Sequence, residues 1–367
     1  MISTRLKALF LFSIFGAIAI TLVGGWHTYE EAPPYFSQVL DEQGRVLATH
    51  ADIMAGQHAW QKYGLMNNGS VWGHGTYRGN DYTATSLNLM GRHMREFHAQ
   101  ADFGAAFAEL TEDQQAAIDA RVIREIKVNR LDGATLVLRL TPAQHFAYEA
   151  VRKHWDRLFS EGDKDTGIAV GVVSEAAERR QLGDFFLWTA WAAGTLRPGK
   201  ELTYTNNWPP DRSVGNDIAP EAVIWSIVSL LGLMVALGAA LTVFFRGRFD
   251  QDLSGLSLDD RVADRIIHLP ITSSQRKTAK YFLVVMLLFL LQLMQGGLLA
   301  HYTVHPGEFY GLKIISDNIP YNWPKTWHLQ LAIFWIATAW VGAACSVSTN
   351  VAASIASGAA SRASSAA

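Results

Sequence analysis

From Ala222 to Phe245 the chain runs for 24 residues without a charged side chain. No other feature limits the fold as strongly. About 20 apolar residues in a helix cross the hydrocarbon core of a bilayer, and a soluble core helix has no need of such a length. Arg246 and Arg248 follow at once. Three more stretches share the pattern: Ala8–Trp26 behind Arg5 and Lys7, Tyr281–Ala300, and Leu329–Val347. The first reads as an uncleaved anchor or as a secretory signal. Its length, and the lack of a small-x-small cleavage site after it, favour the anchor.

The Lys/Arg bias orients the four spans. Arg5, Lys7 and the loop carrying Arg261, Arg265, Arg276, Lys277 and Lys280 are expected in the cytoplasm. Residues 27–220 and the loop 301–327 are then outside, as in a multi-pass protein of a bacterial inner membrane. The expected divisions are an anchor over 1–26, an extracytoplasmic domain over 27–220 and a membrane part over 221–347, with spans near 222–245, 281–300 and 329–347. The Ala/Ser-rich tail 348–367 is expected to be disordered, a weak helix being the alternative.

Only 17% of residues are charged, against about 25% in ordinary soluble domains, which agrees with a bilayer as partner. A net charge of -2 and the absence of a Lys/Arg block exclude a nucleic-acid partner. Cys345 is the single cysteine. It rules out an internal disulfide, a cysteine zinc site and a haem attached through C-x-x-C-H, and it reads as an apolar filler. Any haem must be held by histidine or methionine alone.

Within 27–220 the local signals are mostly helical. Thr111–Gln114 is a capping box opening a helix to about Arg130, broken by Gly133. Thr135–Leu140 alternates like a short strand. Thr141-Pro142 is an N-cap with proline at the first helical position, starting a helix to about Phe159 that Gly162 ends.

Three places could carry chemistry. His328, at the outer end of the last span, reads either as an axial haem ligand or as an interfacial histidine, since ionisable groups on membrane helices usually have a polar task. His301 and His305 lie one turn apart ahead of Pro306. With Glu308 and Phe309 they form either a quinol-headgroup pocket with a proton acceptor or a snorkelling helix end. Trp72-Gly73-His74-Gly75-Thr76-Tyr77 is a turn whose glycines admit close backbone approach, structural or functional.

Ordered motifs then make a resemblance specific. They are Gly56-Gln57, Trp60, Gly69–Gly75, Tyr77 and Asp81–Ala84; Phe185–Ala193 with Arg197-Pro198; Thr203–Pro209; Ala300–Val304; Phe309–Gly311; Pro320-Tyr321; Thr326–Gln330; and Phe334–Thr338. From about residue 25 to residue 342 the chain resembles quinol-dependent nitric oxide reductases of the haem–copper oxidase superfamily. The resemblance implies a membrane all-α fold. After the anchor helix comes an extracytoplasmic, mostly helical cytochrome-c-like domain without haem, followed by three helices of a haem–copper oxidase-type bundle.

It further implies reduction of nitric oxide to nitrous oxide with electrons from membrane quinol, using haem b, a high-spin haem and non-haem iron. His328 falls on an axial ligand of the low-spin haem b. His301 and Phe309 fall on quinol-site positions. The family carries Glu where this chain has His305, which leaves Glu308 as the substitute carboxylate. Gly75 and Tyr77 match a segment near calcium and the haem propionates, although Arg78-Gly79-Asn80 departs from the family's Ala-Pro pattern. The family's remaining metal ligands come later than residue 342. The chain is therefore expected to be a truncated or frame-shifted reading, inactive alone, with a homodimer or a second chain as possible partners. The competing expectations are a non-catalytic haem- or quinol-binding membrane subunit and, less favoured, a sensor.

Overall fold

The computed structural model describes residues 4–76, 79–249, 273–304 and 311–365. It divides into two compact units, Met1–Pro220 and Glu221–Ala367.

The first unit opens with α1 (Thr4–Glu30), a single helix that includes the whole apolar run. Its apolar side chains, Phe12, Phe15, Leu22, Val23 and Trp26 among them, are exposed. A helix apolar on its outward faces suits a lipid surround. Glu31, one residue beyond its end, pairs with Arg197 at 2.7 Å and with Lys200. The Lys200 hydrogen bond, with help from Arg197, holds the Glu31 carboxyl below the usual carboxylate range.

The body of this unit is a helical domain with a small sheet at one side. Strand β1 (Gln38–Leu40) pairs antiparallel with β2 (Val46–Thr49) and parallel with β5 (Val137–Arg139). A two-residue hairpin joins β3 (Ser70–Val71) to β4 (His74–Gly75). The helices are α2 (His50–Lys62), α3 (Tyr82–Phe103), α4 (Glu112–Lys127), α5 (Pro142–Glu161) and α6 (Ala176–Gly194).

Helix α6 is the centre. Leu182 to Ala193 is buried on every face except at Trp191, as a run that is apolar but for Asp184 and Thr189 requires. Helices α2, α3 and α5 pack around it. Tyr82, Trp155, Phe159 and Phe186 meet as one aromatic cluster, with Tyr82 stacked on Phe186 at 4.9 Å. Their polar atoms are satisfied: Tyr82 donates to the Leu65 carbonyl at 3.0 Å and the Trp155 indole to Ser86 at 3.0 Å. Helix α4 presents only the stripe Ile118, Val122 and Ile126, the i, i+4, i+8 spacing of a helix with one wet face.

Two contacts hold α6 in place. At Gly56 the backbones of α2 and α6 touch, so that a Cβ there would lie 2.0 Å from the Gln181 carbonyl oxygen. Asp184 is 1% exposed. Its Oδ1 accepts from Arg152 Nε at 2.8 Å, from Arg152 Nη2 and from the Tyr148 hydroxyl. Arg152 also donates to the Leu47 carbonyl at 2.8 Å and pairs with Glu149 at 3.0 Å. One carboxylate thus ties α6 to α5 and the sheet edge. Burial pushes its carboxyl up to about 6, against the opposing pull of Arg152 and Tyr148.

Sequence expectations and structure differ at the edges. Both capping boxes form, Thr111 with Gln114 and Thr141 with Gln144. Helix α4 stops at Lys127, short of Arg130, because Val128 is extended and the Asn129 side chain accepts the Leu131 amide. The strand starts at Val137 rather than Thr135. Asp132 gathers the amides of Ala134 and Thr135 into a turn, and Leu136 has a positive φ.

The second unit contains α7 (Pro220–Phe249), α8 (Ser273–Val304), the short α9 (Lys313–Asn318) and α10 (Asn322–Ser365). Among the described residues two stretches are long and apolar enough to cross a membrane, Arg276–Tyr302 and Asn322–Ser346. Helix α10 does not stop at residue 347. It runs on through the tail to Ser365, the helical one of the two expectations for that stretch. Alanine, the strongest helix former, dominates that stretch and no proline interrupts it.

Two substitutions test this packing by chemical unfolding of the full chain. Gly56→Ala forces a methyl into a backbone contact and should cost about 3 kcal/mol. Asp184→Asn leaves the Arg152 guanidinium buried without its counter-charge and should cost about 3–5 kcal/mol.

Candidate functional site

Helices α8 and α10 run antiparallel along a seam of small and polar residues. His328, Trp335 and Gly342 recur every seven residues on α10, which keeps them on one face. Opposite them on α8 stand Gly296, then Gln292 and Phe289, then Tyr281 and Phe282. The Trp335 indole donates to Gln292 Oε1 at 2.5 Å and meets the Phe289 ring edge to face at 5.5 Å. A Cβ on Gly342 would stand 3.2 Å from the Tyr281 Cβ. Small residues and polar side chains are what bring helices together when the surroundings are as apolar as the helices themselves.

His328 is half-buried at the end of this seam where α10 begins. Its Nδ1 lies 3.0 Å from the Gln292 carbonyl oxygen. A carbonyl only accepts, so Nδ1 carries a proton, and in the neutral ring Nε2 then presents the lone pair. An imidazole anchored in this way through one nitrogen suits metal ligation through the other. The residues present therefore fit one axial position of a haem.

His301, the other described candidate of this unit, stands elsewhere on α8. His301 is half-buried near the C-terminal end of α8. Five residues separate it from Gly296, which puts it about 7.5 Å further along α8 and about 140° around it. Its ring lies 6.4 Å from that of Tyr302, whose hydroxyl donates to the Ile319 carbonyl at 2.9 Å. Tyr302 is thereby tied to the end of α9. His305, Glu308 and Phe309 lie outside the described residues, as does Tyr77. Among the described residues no three His, Cys, Asp or Glu side chains gather where they could hold a metal ion.

Gly75 sits in the first unit, in the β3–β4 hairpin. The turn residues Trp72 and Gly73 have φ of 51° and 77°, the two positive values of a type I′ turn. Trp72 is held in that conformation by its indole, which donates to the Thr189 carbonyl of α6 at 3.1 Å. Asp81 accepts from the Gly73 amide at 2.9 Å and from Ser70 at 2.7 Å, and it also caps α3 through the Ala84 amide. Gly75 has φ of 148°, and a Cβ on it would fall 2.3 Å from the Gly69 carbonyl oxygen. The close approach read from the glycines is an approach to the chain's own backbone.

The sequence reading passed over Gln292 and Gly296, and took Trp335 only as part of the Phe334–Thr338 motif. The signal available for them was the seven-residue spacing of His328, Trp335 and Gly342, matched against a Gly-Gly pair on the preceding span.

Gly75→Ala, measured by thermal unfolding with a chelator present, should destabilise the chain by about 2 kcal/mol, the strain of a side chain in a glycine conformation. Unchanged stability would move the need for glycine from the hairpin to a bound ion.

No curated protein matches the chain. Residues 36–210 match the family model for the cytochrome c-like domain of NorB, the B-type polypeptide of nitric oxide reductase. The matched segment takes in the hairpin, Asp81 and all of α2 to α6. The match covers 36–210 of the 367 residues, and beyond it lie two helices long and apolar enough to cross a membrane.

Proposed function

We propose that the chain serves a quinol-dependent nitric oxide reductase, and that His328 is an axial ligand of its low-spin haem b. The observation that carries this reading is the His328 imidazole, held through Nδ1 on the Gln292 carbonyl with Nε2 left as a lone pair. It is supported by the family match over residues 36–210 and by the order of motifs through residue 342. Haem b, when bound, supplies a one-electron carrier between quinol and the site of nitric oxide reduction. The chain's own task at this position is to orient one imidazole and keep its second nitrogen unprotonated.

Quinol oxidation releases protons as well as electrons, so its site needs an acceptor at the membrane edge. We assign that role to His301 with His305 and Glu308, and the apolar wall to Phe309. Residues 27–220 would then face the extracytoplasmic side of the bacterial inner membrane, with a calcium ion near Gly75 and Tyr77. The proposed reductase also needs non-haem iron and a second axial haem ligand. A homodimer or a second chain is the partner this implies.

A reduced-minus-oxidised spectrum of the purified chain in detergent tests the haem assignment. A b-type band is expected, and His328→Ala should abolish it. A band that survives the substitution, or no band in the parent, overturns the assignment. A His328-dependent band with no nitric oxide turnover would favour the alternative of a non-catalytic haem-binding subunit.

A further inference from the structure

The two adjacent glycines of α8 differ in what surrounds them. A Cβ on Gly297 would meet nothing within 4 Å. A Cβ on Gly296 would stand 2.9 Å from Cε1 and 3.3 Å from Nδ1 of His328. The imidazole therefore lies against bare backbone, in a notch that any side chain at 296 would fill.

The notch and the hydrogen bond are linked by helical geometry. Gln292 precedes Gly296 by four residues, so its carbonyl points along α8 towards the Gly296 amide. A carbonyl oxygen has two lone pairs, and the second is open to a donor from a neighbouring helix. His328 Nδ1 reaches it at 3.0 Å only because the ring can settle onto Gly296. Pushing the ring out by a methyl group's thickness would take Nδ1 beyond hydrogen-bond range. The other end of the same residue, Gln292 Oε1, accepts the Trp335 indole at 2.5 Å. Gln292 thus fixes α10 two turns apart, and the ring cannot regain its partner by a simple slide of the helix.

We infer that Gly296 is a positioning residue: it seats the His328 ring so that the Gln292 carbonyl selects the Nδ1–H tautomer and leaves Nε2 as the ligating nitrogen. The inference rests on the haem assignment for its purpose but not for its test. An imidazole released from this seat would exchange between tautomers and rotate. Both changes weaken a metal ligand without removing it.

The test uses the full chain in detergent, labelled with nitrogen-15 at histidine and free of haem. The His328 signals are identified by their loss in His328→Ala. The parent and Gly297→Ala should both show His328 protonated at Nδ1 and bare at Nε2. Gly296→Ala should show exchange between the two tautomers. On titration with haemin, Gly296→Ala should bind about tenfold more weakly than Gly297→Ala, the scale of effect seen when a metal-bound histidine loses its outer hydrogen bond. The parent spectrum is decisive even if Gly296→Ala folds poorly, because a proton on Nε2 there overturns the inference. Identical tautomers in the two alanine variants overturn it as well. A parent with the expected tautomer that takes up no haem would support the seat and refute the haem assignment.

Discussion

A helix with no solvent face has to be enclosed from all directions, and α6 imposes that demand on residues 31–220. Its run from Leu182 to Ala193 is apolar except for Asp184 and Thr189, and both of these are buried too. The domain answers with three helices packed around it, a backbone contact at Gly56 and a carboxylate deep in the packing at Asp184. The carboxylate is the costly element. Removing a charge from water is repaid only where geometry and additional donors are good, and Arg152 and Tyr148 supply both. The hairpin leans on the same helix through Trp72 and Thr189. The loop after α6 receives Glu31 through Arg197 and Lys200.

The second unit is held by different physics. Apolar burial out of water drives the assembly of the helical domain over residues 31–220. Between helices in a lipid surround that force is nearly absent, and close contact depends on small residues and on polar groups that find partners. The α8–α10 seam has these features: a glycine under His328, a glycine against Tyr281, and an indole on a glutamine. A polar side chain that would be out of place in the core of the first unit is here part of the adhesive.

The sequence told these two regimes apart with uneven detail. Apolar runs located the two helices long and apolar enough to cross a membrane, Arg276–Tyr302 and Asn322–Ser346, because length and absence of charge are enough to mark them. Thr111 and Thr141 announced their helices because a cap is a local arrangement of four residues. Helix ends were less legible: Val128 and Asn129 close α4 by backbone and side-chain geometry that no motif records. The tail was ambiguous by its composition, since an Ala/Ser stretch suits either disorder or a continued helix. At the candidate site, His328 was visible because histidine is rare on such a helix. Its partners Gln292 and Gly296 were not, because contact between segments some thirty residues apart depends on how two helices meet. Gly75 was noticed for the right property, a tight backbone approach, while the object of that approach was the chain itself.

The double ion pair at Glu31 carries a mechanical consequence. It pins the residue just beyond a long rod to the loop that leaves the domain's central helix. A pinned rod transmits torque. Any change in the inclination of α1 would be felt first at Arg197 and Lys200 rather than spread along a soft linker. The Lys200 half of the pin is open to water and therefore subject to ionic screening. The stiffness of the joint should then depend on the salt of the medium outside, with Arg197 setting its lower limit.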